Sequence, residues 1–232
     1  MSILVFAAAL ASPAICLALG SGGADFSACY SAESAKDPHQ KISLFTTCLK
    51  HGNIGAQNAS LMFVQRGFAY QSTGEVEKAF QDFDAAVRYD PNWPIPFFGR
   101  STVESGRGLC RQALADIDTA MKMGPPRAPF LNHAAWVLAT CADPQVRDGA
   151  KAIALAQQAL KIREDPDVRD TLAAAYAEVG RYEDARAEEA KAVAGVRERP
   201  QQVDAMQARL ELYSHNLPFH TAQATSAPTG AH

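Results

Sequence analysis

The clearest pattern of apolar and polar positions lies in residues 60–93. Its first half carries Phe63, Gly67 and Tyr70 at spacings of four and three, so these residues share one stripe of a helix. Gly74 follows soon after the last apolar position, where a glycine commonly ends a helix. The first half is therefore predicted to be an amphipathic helix that ends near residue 74.

The second half of this stretch has a helical stripe of its own. Ala79, Phe83 and Ala86 recur at spacings of four and three. The pair Asp90-Pro91 predicts the end of the helix, because proline cannot continue a helix and disfavours helical angles in the residue before it. The two stripes together predict a helical hairpin over residues 60–93.

The same pattern returns along most of the chain. Residues 94–127 repeat it without a gap, and residues 128–165 repeat it with about five extra residues between the two helices. Residues 166–199 complete the set, and residues 25–57 form a degenerate first hairpin. In the second copy, the positions of the template stripe are taken by Phe97, Ser101, Ala113, Ile117, Ala120 and Pro125.

This order of a bulky residue, a small residue, an aromatic, crossing alanines and a closing proline resembles the tetratricopeptide repeat. The resemblance covers roughly residues 58–214. It implies an all-α fold, a right-handed superhelix or α-solenoid of helical hairpins, which presents a surface to a partner. The amphipathic residues 200–215 are expected to cap the last hairpin, and residues 216–232 to be a disordered tail.

The resemblance also implies where a partner binds, because the first helices of such hairpins line a concave groove. Aromatic residues occupy equivalent positions there in three copies, and they either anchor a protein or peptide partner or fill a tight superhelix. Asp167 and Asp170 are expected to give the far end an acidic lip. The predicted groove residues are Leu61, Val64, Phe68, Gln71, Ile95, Phe98, Thr102, Asn132 and Trp136.

The first twenty residues are uncharged and mostly apolar, and small residues follow at 21–24. This profile predicts a signal peptide over residues 1–24, a periplasmic or secreted protein, and no membrane span once the leader is removed. An uncleaved membrane anchor is the alternative, since such a run can just cross a bilayer. A net charge of -3 without a basic stripe argues against a nucleic-acid partner.

Four cysteines follow the predicted leader, and they permit three pairings. Cys29 and Cys48 lie in the two helices of the degenerate hairpin, an arrangement that resembles exported bacterial tetratricopeptide proteins. Because antiparallel helices bring such positions together, Cys29–Cys48 is the preferred disulfide, and Cys110–Cys141 is the weaker prediction. No C-x-x-C pair occurs, so a zinc site is not expected. No other cofactor is predicted.

The sequence contains no convincing catalytic constellation. Asp82 with Asp84, and Asp116 with Asp118, look like carboxylate pairs, but residues two apart on a helix point in nearly opposite directions. They are interpreted as solvated faces. The predicted function is therefore a non-catalytic binding scaffold in the bacterial cell envelope. A membrane-held accessory subunit and an enzyme of unknown type are the alternatives.

The leader generates the first testable prediction. When the full chain is expressed in a bacterial host, the mature protein should begin between Ser21 and Asp25 and leave the cytoplasm, because the apolar run and the small residues after it suit export and cleavage. N-terminal sequencing of the fractionated protein checks this. An intact Met1 in the soluble cytoplasmic fraction would contradict it.

Overall fold

The computed structural model describes residues 31–32, 34–50, 54–196 and 198–221. Within these ranges the regular structure is helical, and no strand occurs. The predicted all-α class is therefore confirmed. The principal helices are α1 (Pro38–Lys50), α2 (Ala56–Ser72), α3 (Val76–Tyr89), α4 (Pro94–Gly106), α5 (Cys110–Lys122), α6 (Ala128–Thr140), α7 (Gly149–Ile162), α8 (Pro166–Glu178), α9 (Tyr182–Gly195) and α10 (Pro200–Ser214).

Glycines in the left-handed region make three of the turns between paired helices. Gly74, Gly108 and Gly180 have φ angles of 79°, 75° and 77°, which side chains with a Cβ rarely adopt. They follow α2, α4 and α8, the first helices of three hairpins. The repeat predicted from apolar spacing is thus reproduced by the turn geometry.

The described residues form two compact units that divide between Val103 and Glu104. In the N-terminal unit, the ring of Phe83 on α3 is fully buried. It fits between helices because both neighbours carry a glycine: a Cβ at Gly67 would lie 2.9 Å from the ring, and one at Gly99 would lie 2.4 Å away. Phe68 then packs edge-on against Phe83, with 5.0 Å between ring centroids.

A buried ion pair joins three helices of the N-terminal unit. Arg66 on α2 donates two hydrogen bonds to Asp82 on α3, at 2.8 and 2.7 Å, and a third to Thr46 Oγ1 on α1 at 3.0 Å. The prediction that Asp82 lies on a solvated face is therefore wrong, since only 4% of the residue is exposed. Asp116 in the other unit is buried as well.

In the C-terminal unit, the longer connection between α6 and α7 is tied down at several points. A disulfide joins Cys110 to Cys141, the weaker of the two predicted pairings. Arg147 donates to the carbonyl of Cys141 at 2.7 Å and pairs with Glu178 on α8 at 2.7 Å. The preferred pairing involves Cys29, which lies outside the described residues; Cys48 is buried beside Met62.

Helix α10 packs on α9, at the place where a cap was expected. Met206 forms an apolar cluster with Ala192 and Val196, and Tyr213 is fully buried in a second cluster with Ala173 and Ala177. The predicted disorder after this helix is wrong for residues 216–221, which pack onto the C-terminal unit. The leader, residues 1–24, and the end of the tail, residues 222–232, lie outside the described residues.

The packing of Phe83 gives a prediction about stability. Gly99→Ala should destabilise the protein by about 1–3 kcal/mol, because the new methyl group would overlap the Phe83 ring inside a tightly packed core. Urea unfolding of the purified chain measures this. Gly106→Ala is the matched control, since a Cβ there meets nothing within 4 Å. Equal stability of the two variants would contradict the packing argument.

Candidate functional site

A short stretch of the chain's own C-terminal end lies against the first helices of the C-terminal unit. We call residues 217–221 the C-terminal segment. The ring of Phe219 in this segment packs against Trp136 on α6, with centroids 5.8 Å apart and ring planes 41° apart. The sequence predicted Trp136 as a groove residue that either anchors a partner or fills the superhelix. In the structure, Phe219 of the same chain covers part of the Trp136 ring.

The end of α10 sets the direction of this segment. Asn216 adopts a left-handed φ of 56°, and its N–H donates to Tyr213 O at 3.1 Å. The N–H of Leu217 donates to Leu212 O at 3.0 Å. These bonds form a Schellman motif, which satisfies the last carbonyls of the helix and turns the chain back. Arg186 on α9 also donates to Tyr213 O, at 3.0 Å.

Three polar contacts, made by His220 and Thr221, hold the far end of the segment. The backbone N–H of Thr221 donates to Thr140 O at 2.7 Å, and the Thr221 hydroxyl donates to the same oxygen at 3.0 Å. His220 Nε2 lies 2.7 Å from Glu178 Oε2. Thr140 and Glu178 are the last residues of α6 and α8, where helix carbonyls need donors and the helix dipole favours positive charge.

Arg209 on α10 lies beneath both aromatic rings. Its guanidinium carbon is 5.5 Å from the ring centroid of Trp136 and 5.5 Å from that of Phe219. Its Nε donates to Asp170 Oδ1 on α8 at 2.6 Å. We call the surface formed by Trp136, Thr140, Glu178 and Arg209 the Trp136 face.

Below Arg209 lies a buried pair of carboxyl groups. Asp170 is 5% exposed, and Glu189 on α9 is fully buried with its nearest carboxyl oxygen 3.5 Å from Arg209 Nε. Burial, together with the charge of Asp170, raises the pKa of Glu189 to about 10. Glu189 is therefore protonated at pH 7, beside the Asp170 carboxylate that pairs with Arg209.

The hydroxyl of Tyr213 belongs to the same buried region. Burial, with Glu189 and Asp170 nearby, raises the pKa of Tyr213, so the phenol stays protonated. One charge pair, Arg209 with Asp170, thus remains in a cluster of four polar groups. Asp170 does not contribute the predicted acidic lip, because it is buried under Arg209; Asp167 is half-buried and lies 3.5 Å from Arg199.

The predicted groove residues are mostly buried. Phe68, Phe98 and Trp136 expose 6, 7 and 6% of their surfaces, so they offer a partner little area as they stand. Phe68 packs on Phe83, and this contact fits the core-filling alternative. For Trp136 part of the cover is Phe219. Of the remaining predicted groove residues, Val64, Ile95 and Thr102 are buried, Leu61, Gln71 and Asn132 are half-buried, and Gln71 donates to Thr102 at 2.9 Å.

Sequence reasoning missed Arg209, Glu189 and Phe219. For Phe219 the signal was indirect: an Asn directly after a helix, here Asn216, is typical of an ending that turns the chain back. For Glu189 the sequence shows only Glu188-Glu189 within a charged helix. Which of these two neighbours is buried depends on where α10 packs.

No protein-family model and no curated protein matches the chain. Solved structures do match. A thermophilic TPR protein from Thermus thermophilus superposes with a TM-score of 0.57 and 23% identity, over 77% of this chain and 91% of that one. The fold is that of tetratricopeptide-repeat proteins. This confirms the predicted α-solenoid class.

Two further tetratricopeptide-repeat structures support this assignment of the fold. A protein from Parabacteroides merdae superposes with a TM-score of 0.62 and 14% identity, over 82% of this chain and 72% of that one. YrrB, a TPR protein with an unusual peptide-binding site, superposes with a TM-score of 0.52 and 17% identity, over 74% of this chain and 84% of that one.

The Trp136 face is one surface of the described residues on which aromatic, charged and carbonyl groups come together. Its histidines, cysteines and acidic residues include no group of three placed to hold a metal ion. Its helices include none with the length and hydropathy to cross a bilayer. The Trp136 face has an aromatic ring, a cation, a carboxylate and a helix-end carbonyl, which are groups that can contact a peptide.

The buried carboxyl pair predicts a specific dependence of stability on pH. Glu189 keeps its proton in the folded chain, with a pKa of about 10, but ionises near its ordinary pKa of 4.5 when unfolded. The folded state therefore binds more protons between these values, and its stability falls as pH rises, by up to about 1.4 kcal/mol per pH unit. Glu189→Gln mimics the protonated form and should remove this loss.

Urea unfolding at pH 6, 7 and 8 measures the effect. The stability of Glu189→Gln relative to the parent should increase by roughly 3 kcal/mol from pH 6 to pH 8, on the same linkage argument. Glu183→Gln is the control, because Glu183 is exposed on the same helix. If Glu189→Gln and Glu183→Gln follow the same pH profile, Glu189 is not buried in its protonated form.

Proposed function

We propose that this protein is a non-catalytic scaffold that binds a peptide segment of a partner protein on the Trp136 face, in the bacterial cell envelope. One observation carries the proposal. The C-terminal segment already lies on this face without helical structure, held by an aromatic contact, a side-chain contact and a main-chain hydrogen bond. A peptide from another protein would use the same three kinds of contact.

The fold supports this function. Tetratricopeptide-repeat structures expose first helices side by side, and α6 and α8 of this chain pack in that way. The similarity to YrrB, a TPR protein with an unusual peptide-binding site, supports peptide recognition as the binding mode. Because these proteins are at most 23% identical to this chain, we infer the kind of partner from the chemistry of this chain itself.

Two features support the cell envelope as the location. The apolar leader suits export, and the Cys110–Cys141 disulfide suits an oxidising compartment. If the leader is retained, the same scaffold would be an accessory subunit held at the membrane. The binding face is identical in the two cases.

Among the residues that the structure describes, the enzyme alternative has one candidate centre, the carboxyl pair of Asp170 and Glu189. Shifted pKa values and paired carboxyls are common in active sites. Here Glu189 is fully buried, and the pair lies beneath Arg209 and two aromatic rings. A substrate could reach these carboxyls only after α10 moved away, so we assign the pair to structure.

Site-specific photo-crosslinking tests the proposed function. A photoreactive residue in place of His220, which is exposed beside the Trp136 face, should crosslink one defined envelope protein in cells. The same residue in place of Gln158, exposed on the second helix α7, is the control and should give no such adduct. Crosslinking confined to cytoplasmic proteins, or equal adducts at both positions, would contradict the proposal.

A further inference from the structure

We propose that the C-terminal segment is an internal ligand, and that the partner displaces it with a peptide of the same chemistry: an aromatic residue, then a hydrogen-bond-donating or cationic side chain, then a residue with a free backbone N–H. This inference rests on the proposed function and defines the class of peptide that the Trp136 face selects. Three contacts of the segment define three subsites.

The first subsite takes the aromatic residue. Phe219 contacts the Trp136 ring on one side and the Arg209 guanidinium on another, at 5.8 and 5.5 Å. A cation held against two aromatic rings favours a π face over an aliphatic side chain. Replacement of the aromatic by alanine in a bound peptide removes both contacts.

The second and third subsites are acceptors at the C-terminal ends of two helices. One carboxyl oxygen of Glu178 accepts from His220, and the other is paired with Arg147, which holds the carboxylate in place. Thr140 O accepts the N–H of Thr221 at 2.7 Å. Proline has no N–H, so it is excluded at the third position of the ligand.

The face does not depend on the segment for its construction. Arg209 is held from below by Asp170, and Glu178 is held by Arg147. Trp136 is seated in a core of buried alanine and leucine side chains from α6, α7 and α8. When the segment leaves, an aromatic ring, a guanidinium, a carboxylate and a carbonyl remain in position.

The segment itself is held by few contacts. Leu217 is 52% exposed, His220 is exposed, and Phe219 is only half-buried. The segment is joined to α10 through a single left-handed residue, Asn216. A tethered ligand of this kind competes at an effective concentration of about millimolar, which a free peptide of moderate affinity can overcome.

The test measures binding of a labelled synthetic peptide to the full chain. The peptide, acetyl-Asn-Leu-Pro-Phe-His-Thr-amide, copies the C-terminal segment with Asn216 before it. Phe219→Ala removes the internal competitor and should bind this peptide roughly 10- to 30-fold more tightly than the parent, the factor expected for loss of one aromatic anchor. Leu217→Ala is the matched control in the same segment and should bind like the parent, because Leu217 is exposed.

Peptide variants test the subsites separately. Alanine in place of phenylalanine should abolish binding to Phe219→Ala, and proline in place of threonine should weaken it strongly. Circular dichroism confirms the fold of each protein variant. If Phe219→Ala is unfolded, His220→Ala takes its place, since that side chain is exposed, with an expected gain of about fivefold.

Equal affinity of the parent and the Phe219 or His220 variant would overturn the proposal, as would binding by neither or tight binding of the alanine peptide. This assay needs no natural partner, so its outcome is independent of the crosslinking result. Tighter peptide binding by Phe219→Ala without an envelope adduct would refute the proposed function alone. An envelope adduct without tighter peptide binding by Phe219→Ala would refute the proposal that the segment is an internal ligand.

Discussion

Arg209 is the side chain on which the C-terminal unit depends. It extends from α10, pairs with Asp170 on α8, approaches Glu189 on α9 and lies under Trp136 of α6. One guanidinium thus links α10, which carries it, to three other helices and to the C-terminal segment. Such a planar cation can satisfy a carboxylate at its edge while its faces contact aromatic rings, and an ammonium group could not do both.

Burying these charges has a cost, and the cluster shows how it is reduced. The attraction within a buried ion pair offsets the cost of desolvation only when the geometry is favourable. Here one of two neighbouring carboxyls stays protonated, so a single negative charge faces a single positive one. In the N-terminal unit, Arg66 meets Asp82 in bidentate geometry and uses a further N–H on Thr46. Both arrangements fix the relative positions of three or more helices.

The sequence predicted the helices well, because helix formation and hairpin pairing depend on residues close together in the chain. Apolar spacing placed Phe83 on a buried stripe, Gly74 located the end of α2, and about five extra residues between α6 and α7 indicated a longer connection. The site was predicted poorly. Trp136 was identified, but Phe219, which covers it, was assigned to a disordered tail, and Arg209 drew no attention.

What the sequence determined by itself was therefore the repeat: the helical period, the hairpin length and the small residues that let Phe83 pack between helices. The tertiary structure decided which charged residues are buried and where the chain goes after α10. Asp82 and Asp170 look like solvent-facing acids until the helices that carry Arg66 and Arg209 pack against them. Contacts of this kind join residues 16 and 39 positions apart, and their energy depends on burial that no local pattern records.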